Sequence, residues 1–343
     1  MLEPSTGLTS RLTSDIDLER AGRTESRLGV IHSDGSDVEY GIVPIPVVTC
    51  VNGDGPTVLL AAGTHGDEWE GQLLLHKLAR NLNLSQVRGR LIVMPALNAP
   101  AVLDSSRVSP LDGGNLNRAY PGDRDGGPTS QIADYLSRYL LPQCDFAADL
   151  HSGGGCTEFV PCGFMTRMPH GRRTAEQAQA LQAFGMPYTV VYDEATEDRA
   201  LDTECDRAGV VMVATELSGG ATVTLETLRA AEEGLRRMLV NWNVLIDDTL
   251  PATAGTRFLD VNSPDCSVMV MCHGLFEPSV GLGEQVWSGQ VVGWVHPLHD
   301  LTSPSQPVAA SMDGIVYQRR VPPMVQPGNI VMSIGTPVDQ GDL

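Results

Sequence analysis

Apolar runs and amphipathic segments alternate along the chain from residue 41 to residue 246. The run VLLAAG (58–63) is apolar throughout, as expected of a central strand in a parallel sheet, and GRLIVMPALN, DFAADLH and VVMVATE repeat the pattern. Segments that predict helices are WEGQLLLHKLARNL, SQIADYLSRYLLPQ and residues 174–185, 199–209 and 224–246. The alternation predicts an α/β fold in which helices flank a mainly parallel, mixed sheet.

The two ends of the chain have different patterns. Residues 1–36 are polar, and we predict a ragged N-terminal extension there, followed by an α/β domain over residues 37–250. Beyond Pro251, short apolar runs alternate with turns, and no convincing helical period appears. This pattern predicts a small all-β domain over residues 251–343. Within the α/β domain, residues 99–128 are predicted to form a loop, with DGGNLNRAYPGDRDGGP at its centre.

Composition and charge exclude several classes of protein. Of the 23 basic residues only Lys77 is a lysine, and it lies outside any glycine-rich loop, which argues against Schiff-base enzymes and Walker-type phosphate sites. The formal net charge of −19 argues against partners such as nucleic acids and anionic membranes. We expect no membrane span and no signal peptide, since no apolar run has the required length. Seven cysteines, an odd number without a C-x-x-C pair, predict reduced thiols and a cytoplasmic location.

Three residues at predicted strand ends form a candidate metal site. His65 and Glu68 lie three positions apart in GTHGDEWEG, at a strand-to-helix turn, so that both side chains can converge on one ion. His151 ends the strand in DLHSGG, and Asp149 projects on the same side, where it can orient the histidine. Singly, each motif also fits a structural turn; together, two histidines and a carboxylate leave one zinc position open, which is typical of catalytic sites. The same set binds Fe(II) in oxygenases, but these have β-barrels as a rule, so we predict one Zn²⁺ per chain.

Other polar residues are candidates for catalysis and substrate binding. Glu216 ends a third strand in VMVATELSGG, where its carboxylate can face the metal and take a proton from water; a salt-bridged structural glutamate is the alternative. Asn117 and Arg118 in DGGNLNR form a candidate anchor for a substrate carboxylate, because arginine binds carboxylates through two N–H groups. Arg107 is a candidate for polarising the scissile carbonyl group, with a surface role as an equal alternative.

The motifs GTHGDE, DGGNLNR, DLHSGG and TELSGG, in this order, resemble those of the succinylglutamate desuccinylase/aspartoacylase family. That family is a branch of the zinc carboxypeptidase-like hydrolases, and the resemblance runs from about residue 40 to the C-terminus. It implies a zinc ion bound by His65, Glu68 and His151, with Glu216 as general base and acid.

The resemblance also concerns the substrate and the C-terminal segment. It implies that Asn117 and Arg118 bind the substrate α-carboxylate and that Arg107 assists at the carbonyl oxygen. The segment 251–343 looks like the family's small β-barrel or barrel-sandwich domain. Because this segment contains no lysine, it cannot carry biotin or lipoate, and we expect it to pack against or shape the site.

The fuller match, which includes IPVVTCVNGDGPTVLLAAGTHGDEWEG and SRVSPLDGGNLNRAYPG, resembles members of this family that hydrolyse Nα-acetyl-L-2,4-diaminobutyrate in bacterial ectoine breakdown. The expected partner is thus a small-molecule N-acyl amino acid, and Asp193, Glu194 and Glu197 are candidates for holding its ammonium group, unless they form a solvated acidic loop. The alternatives are a deacylase for succinylglutamate or N-acetylaspartate, a peptide carboxypeptidase, and a non-catalytic binding protein. A homo-oligomer and a complex with a partner hydrolase of the same pathway are both compatible with the sequence.

Overall fold

The computed structural model describes residues 9–33, 41–167, 173–193 and 199–343. The α-helices in these ranges are α1 (Trp69–Asn81), α2 (Ala99–Asp104), α3 (Pro128–Tyr135), α4 (Thr174–Phe184), α5 (Leu201–Ala208) and α6 (Leu225–Asn241). The strands of the first part of the chain are β1 (Thr13–Ser14), β2 (Gly22–His32), β3 (Gly41–Asn52), β4 (Thr57–Ala62), β5 (Gly89–Met94), β6 (Phe146–His151), β7 (Thr157–Phe159), β8 (Cys162–Arg167), β9 (Tyr188–Asp193) and β10 (Val211–Glu216). Those of the last part are β11 (Arg257–Asp260), β12 (Ser267–Met269), β13 (Gly274–Pro278), β14 (Gln285–Val286), β15 (Val291–His296), β16 (Gln306–Ala309), β17 (Gly314–Arg320), β18 (Met324–Val325) and β19 (Ile330–Val338).

A large mixed sheet runs through the molecule in the order β1-β2-β3-β5-β4-β6-β10-β8-β9-β11-β19-β17-β14. Neighbouring strands are parallel in its centre, β5-β4-β6-β10, and again in β8-β9-β11. The pairs β3–β5 and β10–β8, which flank the central block, are antiparallel. The predicted α/β fold, a mixed sheet flanked by helices, is therefore confirmed.

Strand β4 shows why helices cover both faces of this sheet. All six of its residues are buried. Val58 and Leu60 pack on one side into a core formed with α1, α4 and α6. Leu59 and Ala61 pack on the other side into a core formed with α3 and α5. Because successive side chains of a strand point to opposite faces, an unbroken apolar run is buried only when both faces are covered.

The C-terminal segment continues the large sheet and adds a second one. Strand β11 pairs in parallel with β9 and antiparallel with β19, so the ladder runs on from the α/β part. A second, antiparallel sheet has the order β16-β15-β13-β18. Apolar side chains from both sheets, among them Phe276, Val316 and Ile334, form a separate core between them. The predicted all-β character of this segment is confirmed as a two-sheet sandwich, while the division into domains at residue 250 stays a prediction.

Residues 9–33, the described part of the N-terminal segment, contain strands where the sequence predicts a ragged extension over residues 1–36. Within it, β2 pairs antiparallel with β3 along its whole length. Glu25 and Arg27 are exposed, whereas Leu28 and Val30 on the opposite face are fully buried. Only one face of β2 is buried, and the charged residues on its solvated face make the two-residue period of the strand difficult to recognise in the sequence.

Two further element boundaries differ from prediction. The predicted loop over residues 99–128 begins with the short helix α2. The helix predicted over SQIADYLSRYLLPQ has regular α-geometry only to Tyr135 and continues as a π-turn, Leu136–Leu140, and a 3-10 turn, Leu141–Gln143. Pro142 lies in the 3-10 turn and offers no N–H to the carbonyl oxygen of Arg138, so α-helical hydrogen bonding cannot continue through this point. None of the helices in the described ranges is both long and apolar enough to cross a membrane.

Candidate metal centre and active site

Three adjacent strand ends bring the predicted metal-binding and catalytic residues together. Strand β4 ends at Ala62, three residues before His65, while β6 ends at His151 and β10 at Glu216. His151 and Glu216 stand opposite each other in the parallel ladder between β6 and β10. Helix α1 begins directly after Glu68, which is its N-cap residue. The carboxyl edge of the sheet, where ligands bind in open α/β folds, therefore carries all four side chains.

The glycine turns after β6 and β10 pack directly on each other. The N–H of Gly153 donates to the carbonyl oxygen of Ser218 over 3.1 Å. A Cβ atom on Gly153 would lie 2.1 Å from the carbonyl oxygen of Thr157, and one on Gly219 would lie 2.2 Å from the same oxygen. Both distances are shorter than any real contact, so only glycine fits at these positions. This close approach fixes the two strand ends side by side.

His65, Glu68 and His151 form a compact, buried group. The Oε1 atom of Glu68 lies 2.7 Å from Nδ1 of His65, and Oε2 lies 2.8 Å from Nδ1 of His151. The two imidazole ring centroids are 5.1 Å apart. One ligand atom from each residue lies within 4.8 Å of the other two. The structure thus brings the three predicted ligands within reach of a single metal ion.

The outer ring nitrogens of both histidines contact acceptors. The Nε2 atom of His151 lies 2.8 Å from Oδ2 of Asp149, the carboxylate predicted to orient it. The Nε2 atom of His65 lies 3.1 Å from Oδ1 of Asn115. Because carboxylate and amide oxygens only accept hydrogen bonds, Nε2 of each ring donates to its partner. The Nδ1 atom of each ring, which faces Glu68, is therefore the candidate metal ligand. Asn115 is absent from the predicted site residues, although it lies within the motif DGGNLNR.

Burial and charge act in opposite directions on the pKa values of this group. Burial alone would raise the pKa of Glu68, but the charges and hydrogen bonds of His151 and His65 outweigh burial and lower it to about 2. Burial alone would lower the pKa of His151, but Asp149 and Glu68 outweigh it and raise that pKa well above its ordinary value. The carboxylates thus need a positive charge beside them, which is either a proton on the histidine or a bound cation.

Glu216 projects into the same pocket with one oxygen atom unpaired. Its Oε2 atom is buried and has no hydrogen-bond partner among the described residues. Burial, together with the negative charge of Glu68, raises the pKa of Glu216 to about 8. An acceptor left unsatisfied in a polar pocket is available to a water molecule or to a proton of a ligand.

The predicted substrate-binding residues line the same cavity, whose volume is about 640 Å³. Arg107 is half-exposed, and its Nη1 atom donates to Oε1 of Glu68 over 3.2 Å. The exposed Arg118 donates from Nη1 to the carbonyl oxygen of Asn117 over 2.5 Å. The Oδ1 atom of Asn117 accepts the N–H of Leu201 over 3.2 Å, which leaves the amide NH₂ group of Asn117 to donate to a ligand. The cavity therefore offers two guanidinium groups and one amide donor beside the candidate metal site.

A family model, the succinylglutamate desuccinylase/aspartoacylase catalytic domain, matches residues 54–241 of this chain. The matched range includes every site residue described above and more than half of the chain. The chain belongs to the succinylglutamate desuccinylase/aspartoacylase family. This membership confirms the resemblance found in the sequence, and with it the predicted enzyme class, a hydrolase that acts on N-acyl amides.

Individual members of the family are similar over nearly the whole chain. The N-alpha-acetyl-L-2,4-diaminobutyric acid deacetylase of Halomonas elongata is 35% identical over 337 residues, 98% of each protein. The product-bound structure of the ectoine utilization protein EutE (DoeB) from Ruegeria pomeroyi has a TM-score of 0.91 at 37% identity, covering 96% of this chain and 99% of that one. A succinylglutamate desuccinylase/aspartoacylase from Rhodobacter sphaeroides has a TM-score of 0.90 at 34% identity, covering 96% and 100%. The similarity thus extends to the N-terminal strands and the C-terminal sandwich.

Proposed function

We propose that this chain is a zinc-dependent deacetylase that hydrolyses Nα-acetyl-L-2,4-diaminobutyrate to 2,4-diaminobutyrate and acetate in ectoine catabolism. The observation that carries the proposal is the buried group of His65, Glu68 and His151, which shares one cavity with Glu216 and Arg118. The names of two relatives, which match this chain almost from end to end, support the choice of substrate.

The donor atoms of the buried group fit zinc. Two imidazole nitrogens and one carboxylate oxygen are ligands that zinc accepts in catalytic sites, where a fourth position stays open. Asp149 and Asn115 accept hydrogen bonds from the outer nitrogens of His151 and His65, an arrangement that orients histidine ligands of zinc. A zinc ion bound by His65, Glu68 and His151 would supply a Lewis acid that polarises a carbonyl group and makes water more acidic.

The remaining residues position the substrate and move protons. Asn117 and Arg118 donate to the α-carboxylate, which orients the amide toward the metal site. Arg107 places a positive charge where negative charge develops on the carbonyl oxygen. The unpaired Oε2 atom of Glu216 takes a proton from the attacking water and then gives it to the amide nitrogen. The water oxygen bonds to the acetyl carbon first, and the carbonyl oxygen takes the negative charge. The C–N bond then breaks as the amide nitrogen receives the proton, which yields acetate and the free amine.

We also place the reaction in the cytoplasm. The free thiols of all seven cysteines in the structure are compatible with a reducing compartment. A homo-oligomer and a complex with a partner hydrolase of the same pathway stay predictions.

A panel of substrates tests the proposal. Acetate or succinate release is measured with Nα-acetyl- and Nγ-acetyl-2,4-diaminobutyrate, N-acetylaspartate, N-succinylglutamate and a short peptide, each with added zinc and with a chelator. We expect the highest kcat/KM for the Nα-acetyl compound and loss of activity with the chelator. Preference for a dianionic substrate would contradict the substrate assignment, cleavage of the peptide would favour a carboxypeptidase, and no turnover at all would favour a binding protein.

A further inference from the structure

We propose that Asp202 binds the side-chain ammonium group of the substrate and thereby selects a diamino acid. The inference rests on the proposed function, because it assigns a place in the same cavity to the second amino group of 2,4-diaminobutyrate. It addresses a group that the candidate metal ligands, Glu216 and the arginines do not bind, because in the proposed reaction the ligands and Glu216 act on the amide and the arginines bind oxygen atoms.

Two acidic side chains line the cavity in addition to Glu68, Asp149 and Glu216, and these are Asp193 and Asp202. Of the three acidic residues that the sequence offers for the ammonium group, Glu194 and Glu197 lie outside the described residues, and Asp193 lies within them.

The charge of Asp193 is already compensated. The Nε atom of Arg167 donates to Oδ1 of Asp193 over 2.7 Å, and another nitrogen of the same guanidinium lies 3.0 Å from Oδ2 of Asp260. The Asp193 side chain is also 55% exposed, so water solvates it further. A substrate ammonium would have to compete with the guanidinium and with water at this position, which makes Asp193 a poor subsite.

The carboxylate of Asp202 has no cationic partner within the described residues. It is partly buried, its Oδ2 atom accepts the hydroxyl of Thr166 over 2.5 Å, and its Oδ1 atom accepts the N–H of Thr203 over 2.8 Å. Arg173, which borders a small depression beside Asp202, pairs with Glu176 instead. A carboxylate has about four lone-pair sites, so Asp202 keeps acceptor capacity for an ammonium group. The hydroxyl of Thr203 also donates to Oδ1, over a long 3.5 Å. These three neutral donors fix the orientation of the carboxylate without neutralising its charge.

Asp202 lies next to the proposed carboxylate anchor. It belongs to the first turn of α5, and the preceding residue, Leu201, donates its N–H to Oδ1 of Asn117. A backbone hydrogen bond from the N–H of Tyr120 to the carbonyl oxygen of Arg199 also joins the loop that carries Asn117 to the residues just before α5. The loop that carries Asn117 and its neighbour Arg118 is therefore fastened to the start of the helix that carries Asp202.

This arrangement places opposite charges at neighbouring subsites. Arg118 has no carboxylate partner among the described ion pairs, and Asp202 has no basic one. An amino acid with an α-carboxylate and a short ammonium side chain complements both groups at once. A second carboxylate in place of the ammonium, as in N-acetylaspartate, would face Asp202 and be repelled.

The structural alternative is that Asp202 only stabilises α5, since an acidic side chain in the first turn interacts favourably with the helix N-terminus. That role would affect all substrates alike, so a pair of matched substrates separates the two roles. Nα-acetyl-L-norvaline has the same side-chain length as Nα-acetyl-2,4-diaminobutyrate, with a methyl group in place of the ammonium.

The test compares wild type, Asp202→Asn and the matched control Asp193→Asn with both substrates. We expect Asp202→Asn to lower kcat/KM for the diaminobutyrate substrate roughly 10- to 100-fold, mainly through KM, as for a lost hydrogen bond to a charged group. The kcat/KM for the norvaline substrate should stay near the wild-type value, and Asp193→Asn should change neither. Thermal unfolding of each variant checks the fold.

Each other outcome has a defined meaning. Equal loss on both substrates, no loss on either, or loss of discrimination in Asp193→Asn instead would overturn the role of Asp202 while the proposed function stands. A wild-type enzyme that does not hydrolyse Nα-acetyl-2,4-diaminobutyrate would overturn the proposed function and this assignment with it. If Asp202→Asn does not fold, the isosteric Thr166→Val takes its place, because it removes the hydroxyl that orients Asp202. This variant should lower kcat/KM several-fold for the diaminobutyrate substrate alone. An equal fall in kcat/KM for both substrates would overturn the assignment.

Discussion

Two regions of this molecule are held together by different forces. At the glycine-turn edge of the sheet, the buried ionisable side chains of His65, Glu68 and His151 pair with one another. The two carboxylate oxygens of Glu68 lie 2.7 and 2.8 Å from an imidazole nitrogen of His65 and His151. In the C-terminal sandwich, side chains such as Val292 and Val316 form an apolar core. Burial of apolar surface stabilises a fold, whereas burial of charged groups gains little net stability even when they are paired. The first region is therefore best explained by its chemistry and the second by its packing.

The two regions meet at one wall of the cavity. Strand β7, which follows the glycine turn after β6, pairs with β17 of the sandwich. In that ladder Gln318 stands opposite Phe159, and both residues line the cavity. The sandwich thus shapes the pocket through one strand edge, while the candidate metal ligands and Glu216 all come from the α/β part.

The largest effect is expected from removing a metal ligand, His65→Ala. The variant should lose bound zinc and at least about 10,000-fold in kcat/KM, since both the Lewis acid and the acidified water are lost. Metal content and acetate release are the measurements. His76→Ala is the matched control, because His76 is an exposed histidine on the helix that follows. Near-normal zinc content or activity in His65→Ala would show that the buried group is structural, and the contrast between the two regions would disappear.

A smaller but selective effect is expected from Glu216→Gln. The isosteric amide cannot accept a proton, so turnover should fall roughly 100- to 10,000-fold, the usual contribution of general acid–base catalysis. Zinc stoichiometry should stay at the wild-type value, because Glu216 is not one of the three candidate ligands, His65, Glu68 and His151. Glu226→Gln, at an exposed position in the first turn of α6, serves as the control. Loss of zinc together with activity would instead make Glu216 part of the metal site.

The sequence predicts which residues meet at the glycine-turn edge of the sheet because of the way in which this edge is built. His151 and Glu216 each end a buried, apolar run, and parallel strands in one sheet bring their carboxyl ends to the same edge. His65 and Glu68 are close in sequence, so their convergence needs only a local turn. The apolar runs and the local spacing of these residues are therefore sufficient to predict that they lie close together.

Residues that the sequence does not reveal as part of the site depend on contacts between distant segments. Asn115 reaches His65 from a loop 50 residues away, and Asp202 reaches Thr166 across 36 residues. No local period encodes such contacts. Strand β2 was missed for a related reason, since its pairing with β3 leaves one face in water, and charges there mask the alternation.

The smallest effect is expected where the two regions meet, from Arg319→Ala. Two nitrogens of Arg319 donate to Oε2 of Glu158 over 2.8 and 2.6 Å, which joins β17 to β7 beside the cavity. Both side chains are about one-third exposed (36% and 30%), and such ion pairs contribute at most about 1 kcal/mol. We therefore expect KM to rise less than about fivefold with kcat unchanged, since 1 kcal/mol corresponds to about that ratio.

Steady-state kinetics with the diaminobutyrate substrate measures this effect. Arg320→Ala is the matched control, because the Arg320 side chain donates to the carbonyl oxygen of Pro322, in the turn that follows β17. A fall in kcat for Arg319→Ala as large as that for Glu216→Gln would mean that the sandwich takes part in the chemistry. No change in KM would mean that the β7–β17 backbone ladder alone holds the wall in place. A modest rise in KM alone is what a wall held jointly by the ladder and the ion pair would give.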